Sequence, residues 1–219
     1  MGLPKIAILI CSFNESKTLA KVVRDASKFG KVLVINDGST DNTKEMIKKF
    51  KVFKINNTVN EGYENCINKG LRFLKSKKFE YVITMDADGQ HKISDLSKIY
   101  NFIKSRKYDL VISKRSKLHK FSEKLLSLHT KKKLGFSDIL SGLKGYKLSL
   151  FSKKNLELNL KNDVAGTNYL LDSIKRKKKI IEILISSHRR KFGDSKFYSK
   201  IQNNMRVFML ILKIPSLNE

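Results

Sequence analysis

The chain has 219 residues, 41% of them hydrophobic, which suits one domain with a sizeable core and excludes a disordered polymer. Its 46 Lys and Arg against 20 Asp and Glu give a net charge of +26, a field that attracts polyanions such as nucleic acid, anionic lipid or phosphorylated substrates. Two cysteines, Cys11 and Cys66, exclude a disulfide framework, and no apolar run approaches the ~20 residues of a membrane-spanning helix.

In chain order, short apolar runs alternate with amphipathic segments. Ile6–Ile10 reads as a strand. Ser16–Phe29 reads as a helix with Leu19, Val22, Val23 and Ala26 on one stripe. Val32–Ile35 is a second strand, and Asp41–Phe50 a helix for which Ser39, Thr40 and Asp41 offer capping groups. Val52–Ile55 is a third strand, followed by a helix over Glu64–Leu74 with Cys66, Ile67, Leu71 and Leu74 inward. Tyr81–Met85 is a fourth strand, Ile93–Ile103 a helix presenting Ile93, Leu96, Ile99 and Ile103, and Leu110–Ser113 a fifth strand. This βαβ rhythm predicts a mainly parallel sheet flanked by helices. Beyond Ser113 the rhythm changes. Residues 114–135 are basic, with Leu118, Phe121, Leu125 and Leu128 at helical spacing. Leu143–Leu148 and Ile180–Ile185 read as strands and Gly166–Lys175 as a helix. A last amphipathic segment carries Ile201, Met205, Phe208 and Leu212. With no linker or repeat, residues 1–219 are expected to form one domain, with a nucleotide-binding half over 1–91 and an acceptor-facing half over 92–219.

The opening Met-Gly-Leu-Pro-Lys lacks the charged and apolar regions of a signal peptide. The expected location is the cytoplasm, either free or peripheral on the membrane's cytoplasmic face. Two amphipathic basic stretches, 114–133 and 199–213, motivate the peripheral option, since an interfacial helix with polybasic charge binds anionic lipid without spanning. The alternative is that both stripes pack on the core.

Polar residues collect at the strand ends. Cys11-Ser12-Phe13-Asn14-Glu15 follows the first strand, Asn36-Asp37-Gly38-Ser39-Thr40-Asp41 the second, and Asp86-Ala87-Asp88-Gly89-Gln90-His91 the fourth. In a parallel sheet these loops meet on one edge, where ligands bind. They supply an aromatic ring, carboxylates, glycines for close backbone approach and helix N-termini suited to phosphate. Asp86 and Asp88 repel each other unless something positive neutralises them, and a divalent metal carrying a phosphate is the simplest candidate. On its own, Asp-x-Asp also describes an acidic turn capping the next helix. No Gly-x-Gly-x-x-Gly, Gly-Lys-Ser/Thr loop or nucleophile elbow is present, which disfavours a dinucleotide fold, a P-loop enzyme and a Ser-His-Asp hydrolase.

These residues together resemble family 2 glycosyltransferases of the GT-A fold, and within them the dolichol- or polyprenyl-phosphate sugar synthases. Residues 8–15 are similar to the family's opening strand and its Pro-x-Tyr-Asn-Glu. Residues 34–43 resemble its Asp-Asp-Gly-Ser motif, and Asn60-Glu61-Gly62 with Gly70 its Asn-x-Gly spacing. Asp86 to His91 matches the metal motif and Ser113-Lys114-Arg115 a Gly-Ser-Arg element. Residues 138–144 resemble Asp-x-x-Ser-Gly-Phe-Arg, and Arg190 to Lys196 resembles Arg-x-x-Gly-x-Ser-Lys. The motifs run in order from residue 5 to about 197. Four positions depart from the pattern: Cys11 replaces a proline, Asn36 the first acid of Asp-Asp, Asn168 a glutamate and Leu184 a proline.

The resemblance implies an inverting, metal-dependent hexosyltransferase using a UDP- or GDP-sugar. Phe13, Glu15 and Asp37 would hold the base and ribose, with Gly38 beside them. Asp86 would lie by the diphosphate and sugar, and Asp88 and Gln90 would hold Mg²⁺ or Mn²⁺. Arg115, Arg190 and Lys196 would neutralise phosphates of donor or acceptor. His91 would orient the acceptor or cap the next helix. The departing diphosphate needs electrostatic stabilisation. A polyprenyl phosphate acceptor is already anionic and needs positioning, whereas a glycan hydroxyl also needs a general base, for which Asp138 is the candidate. A turn or cap role for Asp138 stands beside that. Binding of nucleic acid would account for the charge but not for acids gathered at strand ends, so it is disfavoured. A non-catalytic relative is the remaining reading. His119, His129 and His188 are expected to be ordinary.

Overall fold

The computed structural model describes residues 2–152, 166–186, 188, 190, 192 and 201–214, with the backbone alone for 201–204, 212 and 213. The elements run β1 (Ile6–Ser12), α1 (Leu19–Ala26), β2 (Lys31–Asp37), α2 (Thr43–Lys48), β3 (Phe53–Asn57), α3 (Tyr63–Ser76), β4 (Tyr81–Asp86), α4 (Ile93–Lys104), β5 (Leu110–Arg115), α5 (Phe121–Leu134), β6 (Lys144–Lys147), α6 (Thr167–Lys175), β7 (Ile180–Ile185) and α7 (Ile201–Lys213). Every predicted strand is present, and the predicted helices are present with shifted ends. Helix α1 starts at Leu19 rather than Ser16, with Thr18 at its N-cap donating through Oγ1 to the carbonyl of Ala87, just beyond β4, at 2.7 Å.

The strands form one seven-stranded sheet in the order β3-β2-β1-β4-β6-β5-β7. Strand β6 runs antiparallel to both β4 and β5. The other pairs are parallel. Six strands therefore end on one edge of the sheet, and β6 begins there. The chain leaves β1 toward β2 on one side and returns to β4 on the other, so the crevice between the ends of β1 and β4 is a topological switch point, the usual ligand position in such sheets.

Alternation along the buried strands sends side chains to two cores. Ala7, Leu9, Leu33 and Ile35 join Cys66, Ile67, Leu71 and Leu74 of α3, Leu126 and Leu134 of α5, and Val207, Leu210 and Ile214 on one face. Ile6, Ile8, Ile10, Val32 and Val34 join α1, Ile47 of α2 and Leu96, Ile99 and Ile103 of α4 on the other. The stripe expected on α1 is buried throughout, but Ile93 of α4 is 37% exposed. In α5 and α7 the alternative that the expected stripes pack on the core does not hold for the residues described. Leu126 and Leu134 face the core while Phe121, Leu125 and Leu128 are exposed, and Val207 and Leu210 are buried while Met205 and Phe208 are exposed.

Candidate functional site

The loops after β1 and β2 are built as one unit. Asn14 takes a left-handed backbone (φ 53°). Its N–H donates to Ser39 Oγ at 2.9 Å, and its Oδ1 accepts from the N–H of Thr40 at 2.8 Å. Asp37, at the end of β2, is buried and fixes the next loop. Its Oδ1 accepts from Asn57 Nδ2 at 2.8 Å and the N–H of Glu61 at 2.9 Å, and its Oδ2 from the N–H of Gly62 at 2.9 Å. Gly38 follows at φ +66°, where a Cβ would sit 2.4 Å from the carbonyl carbon of Val59. Only glycine fits that approach. Asp37 was expected to hold the donor; its carboxylate is committed to the Asn60–Gly62 loop instead, and its contribution is to shape that wall.

Asp86 ends β4 opposite Cys11 of β1. His91 Nε2 lies 3.2 Å from Asp86 Oδ2, and Asp86 keeps 34% of its side-chain surface open, so it can still meet a ligand. Gly142 flanks it, and a Cβ there would fall 2.3 Å from Asp86 Oδ2. Burial works against ionisation of Asp86. The His91 hydrogen bond and charge outweigh it, helped by Arg115 and the buried Lys144, and hold the carboxyl below its usual range. His91 shows the reverse balance: burial alone would discharge it, while Asp86, Asp88 and Asp95 raise its pKa.

Asp88 lies one turn further on. Burial first, and then the charge of Asp86, push its carboxyl up to about 6. Its Oδ1 accepts from the N–H of Gln90 at 2.9 Å. The Gln90 amide donates in turn to the carbonyl of His188 at 2.6 Å through its nitrogen. Arg190 closes this side. Its guanidinium donates to Glu15 and lies 3.3 Å from Asp88 Oδ2. Glu15, Asp88 and Arg190, distant in sequence and expected at the base, the metal and the phosphates respectively, therefore lie together. Arg190 faces carboxylates, which any phosphate would have to share.

Arg115 and Asp138 also meet. Arg115 Nε donates to Asp138 Oδ2 at 2.7 Å and Nη2 to Oδ1 at 3.0 Å, and the backbone N–H of Arg115 adds a bond at 3.0 Å. Glu123 Oε1 takes Nη1 at 3.0 Å. The expected roles do not fit this geometry well. The Asp138 carboxylate is locked in a bidentate pair rather than aimed at an acceptor, and Arg115 is engaged by two acids rather than left for a phosphate. Phe13 lies half-buried in the β1 loop. Lys196 lies outside the described residues.

Two participants escaped the sequence reading. Lys144, at the start of β6, is 1% exposed and donates to the carbonyl of Ile139 at 2.8 Å, placing a cation behind Asp86. Its signal was its place at the basic end of the 138–144 motif. His188 lies just beyond β7. Its Nε2 is buried and without a hydrogen-bond partner among the described residues. Its signal was its position after a strand that ends on the same edge as β4.

The donor set fits a hard divalent cation in part. Two neighbouring carboxylates, Asp88 with its pKa raised first by burial and then by Asp86, offer oxygens to a cation, and Gln90 could add another. Among the described residues no three His, Cys, Asp or Glu side chains converge on one point, so a cation here would need further oxygens from a ligand or water. The raised Asp88 pKa sets an expected pH dependence. Below about 6 the cation must displace a proton, so stabilisation by Mn²⁺ should be small near pH 5 and grow through about 6 to a plateau. Without cation the slope reverses. The folded state keeps this proton where the unfolded Asp, at about 3.9, has lost it, so stability should fall as pH rises from about 4 to about 6. Melting curves with and without Mn²⁺ across this range check both slopes.

Sheet order and acidic strand ends together define a GT-A glycosyltransferase fold. The structure superposes on glucosyl-3-phosphoglycerate synthase from Mycobacterium tuberculosis, solved with Mn²⁺, UDP and phosphoglyceric acid, with a TM-score of 0.71 at 14% identity, covering 98% of this chain and 80% of that one. The chain belongs to glycosyl transferase family 2, whose model matches residues 7–153. It is 29% identical to the cholesterol galactosyltransferase of Borreliella burgdorferi over 90% of its own length and 60% of that protein's. It is 34% identical to the uncharacterized protein MJ0544 of Methanocaldococcus jannaschii over 62% of its length and 60% of that protein's. The chain thus spans about three fifths of each of these two relatives.

Proposed function

We propose that this chain transfers a hexose, with inversion, from a nucleoside-diphosphate sugar to a polyprenyl phosphate. The donor would lie over the interlocked β1 and β2 loops, with its diphosphate toward Asp86 and Asp88. A divalent cation bound by Asp88 and Gln90 would offset charge developing on the departing diphosphate. Arg190 would turn from Glu15 toward phosphate, and His91 would fix the Asp86 carboxylate. The nucleotide side of the cleft would then draw on residues up to His91 and the acceptor side on those beyond.

The observation that carries the acceptor assignment is the Arg115–Asp138 pair. With both Asp138 oxygens held, the geometry favours an acceptor that arrives anionic and needs no deprotonation. A lipid hydroxyl is a second reading, favoured by the likeness to a cholesterol galactosyltransferase. Product chemistry separates the two. Incubation with labelled UDP- and GDP-hexoses, Mn²⁺ and a polyprenyl phosphate should yield a labelled lipid that mild acid splits. An acid-stable lipid glycoside formed from a sterol, with no transfer to the phosphate, would replace the first reading by the second. No transfer to either acceptor would overturn both.

A further inference from the structure

We infer that the outer face of α5, with α7 beside it, is a docking surface for an anionic lipid bilayer. Helix α5 has two apolar stripes. The inner one, with Leu126 and Leu134, is spent on the core. The outer one exposes Phe121 at 75%, Leu128 at 72% and Leu125 at 39%. Spacings of four and seven residues place these three on one line along the helix. Lys124, Lys131 and Lys132 are exposed on the same side of the helix. The sole acid of α5, Glu123, is 4% exposed and neutralised by Arg115, so no acid is exposed on this helix. Helix α7 packs on α5 and repeats the arrangement. It buries Val207 and Leu210, exposes Met205 at 61%, Met209 at 51% and Phe208 at 43%, and contains no acid.

Charge complementarity selects the occupant. An apolar line flanked by long cationic side chains is the pattern of a helix lying in a headgroup layer, with the rings and Leu side chains in the acyl boundary and the lysine amines among lipid phosphates. A nucleic acid would use the lysines but leave the apolar line in water. Among the described residues no helix is long and apolar enough to cross a membrane. Glu123, which holds Arg115, lies on the inner side of the same helix and leaves the outer face without an acid. The docking does not depend on which acceptor is used.

The test is sedimentation of the full chain with phosphatidylcholine vesicles and with phosphatidylcholine–phosphatidylglycerol vesicles, at low and raised salt. The expected result is binding to the anionic vesicles alone, weakened by salt. F121S/L128S should lower the vesicle affinity by about tenfold or more, and K124E/K131E/K132E should abolish the preference for anionic lipid. Unchanged melting and an unchanged thermal response to UDP with Mn²⁺ would show that both variants keep fold and site. Equal binding to both vesicles, no binding at low salt, or variants that sediment like the parent would overturn the proposal. So would a solution dimer that F121S/L128S dissociates, or tight RNA binding in place of lipid binding. Because no sugar transfer is read, failure here leaves the acceptor assignment standing, and failure of that assignment leaves this surface standing.

Discussion

Asp88→Asn should lower hexosyl transfer about a thousandfold, the scale set by losing a main electrostatic stabiliser of the leaving group, while the fold persists. Asparagine keeps the shape of the side chain and can still accept the hydrogen bond that Asp88 Oδ1 receives from the N–H of Gln90. What it removes is charge. In the parent that charge is held against burial and against Asp86, which push the Asp88 carboxyl up to about 6. The variant should therefore melt at the same temperature or higher without Mn²⁺ and lose its Mn²⁺-dependent rise in melting temperature. Arg190 retains Glu15 as a partner, so the wall it forms should survive. Steady-state rates and paired melting curves read the two effects separately. Activity surviving intact would refute the assignment of Asp88 to the cation.

Gly142→Ala should cost about a hundredfold in turnover through a residue that carries no functional group. The new methyl would fall 2.3 Å from one oxygen of Asp86 and 2.5 Å from the other. Neither side yields easily. The carbonyl of Gly142 is held by Thr84 Oγ1 at 2.8 Å, and the next carbonyl, of Leu143, by Ser113 Oγ at 2.7 Å. Asp86 Oδ2 is also held by His91 Nε2 at 3.2 Å. The carboxylate has to move, and displacement of about an ångström at a reacting centre typically costs that factor. Overpacking should also lower stability by about 1–3 kcal/mol. A fall in kcat beyond what the loss of stability accounts for would locate the damage at Asp86. Parental kcat would mean that the position of Asp86 is not critical.

Much of the fold was legible because its information is local. The run of Leu19, Val22, Val23 and Ala26 dictates which side of α1 is buried, and the polar loops after β1, β2 and β4 mark one edge of a parallel sheet. For α5 the sequence left open whether its apolar stripe packs on the core or faces outward, because that helix has two apolar lines and a single sequence does not say which one meets the sheet. The reversal of β6 was not legible either. Four residues, Lys144 to Lys147, carry no periodicity that distinguishes parallel from antiparallel pairing. At the site, the motif placed Asp86 and His91 on one loop, but their contact was not read from it; His91 was expected at the acceptor or as a helix cap. The pairings of Asp37 with the N–H of Gly62, of Arg115 with Asp138 and of Glu15 with Arg190 join distant segments. Motif order placed those residues near one cleft; only the folded arrangement shows that they bond to one another.

The reversed strand has a consequence for how the molecule assembles. Strands β4 and β5 do not pair with each other; β6 lies between them and bonds to both. The sheet can close only after the chain has passed through β5 and α5 and turned back. The first four strands can pair among themselves earlier, β1 with β2 and β2 with β3 as sequence neighbours and β4 returning to β1. Gly142 and Lys144, which set the surroundings of Asp86, arrive with that late insertion. Completion of the acidic pocket is thus tied to the joining of the two parts of the sheet, a long-range closure of the kind that slows folding. A chain halted before β6 would carry both aspartates of the motif without the glycine and lysine that complete their pocket.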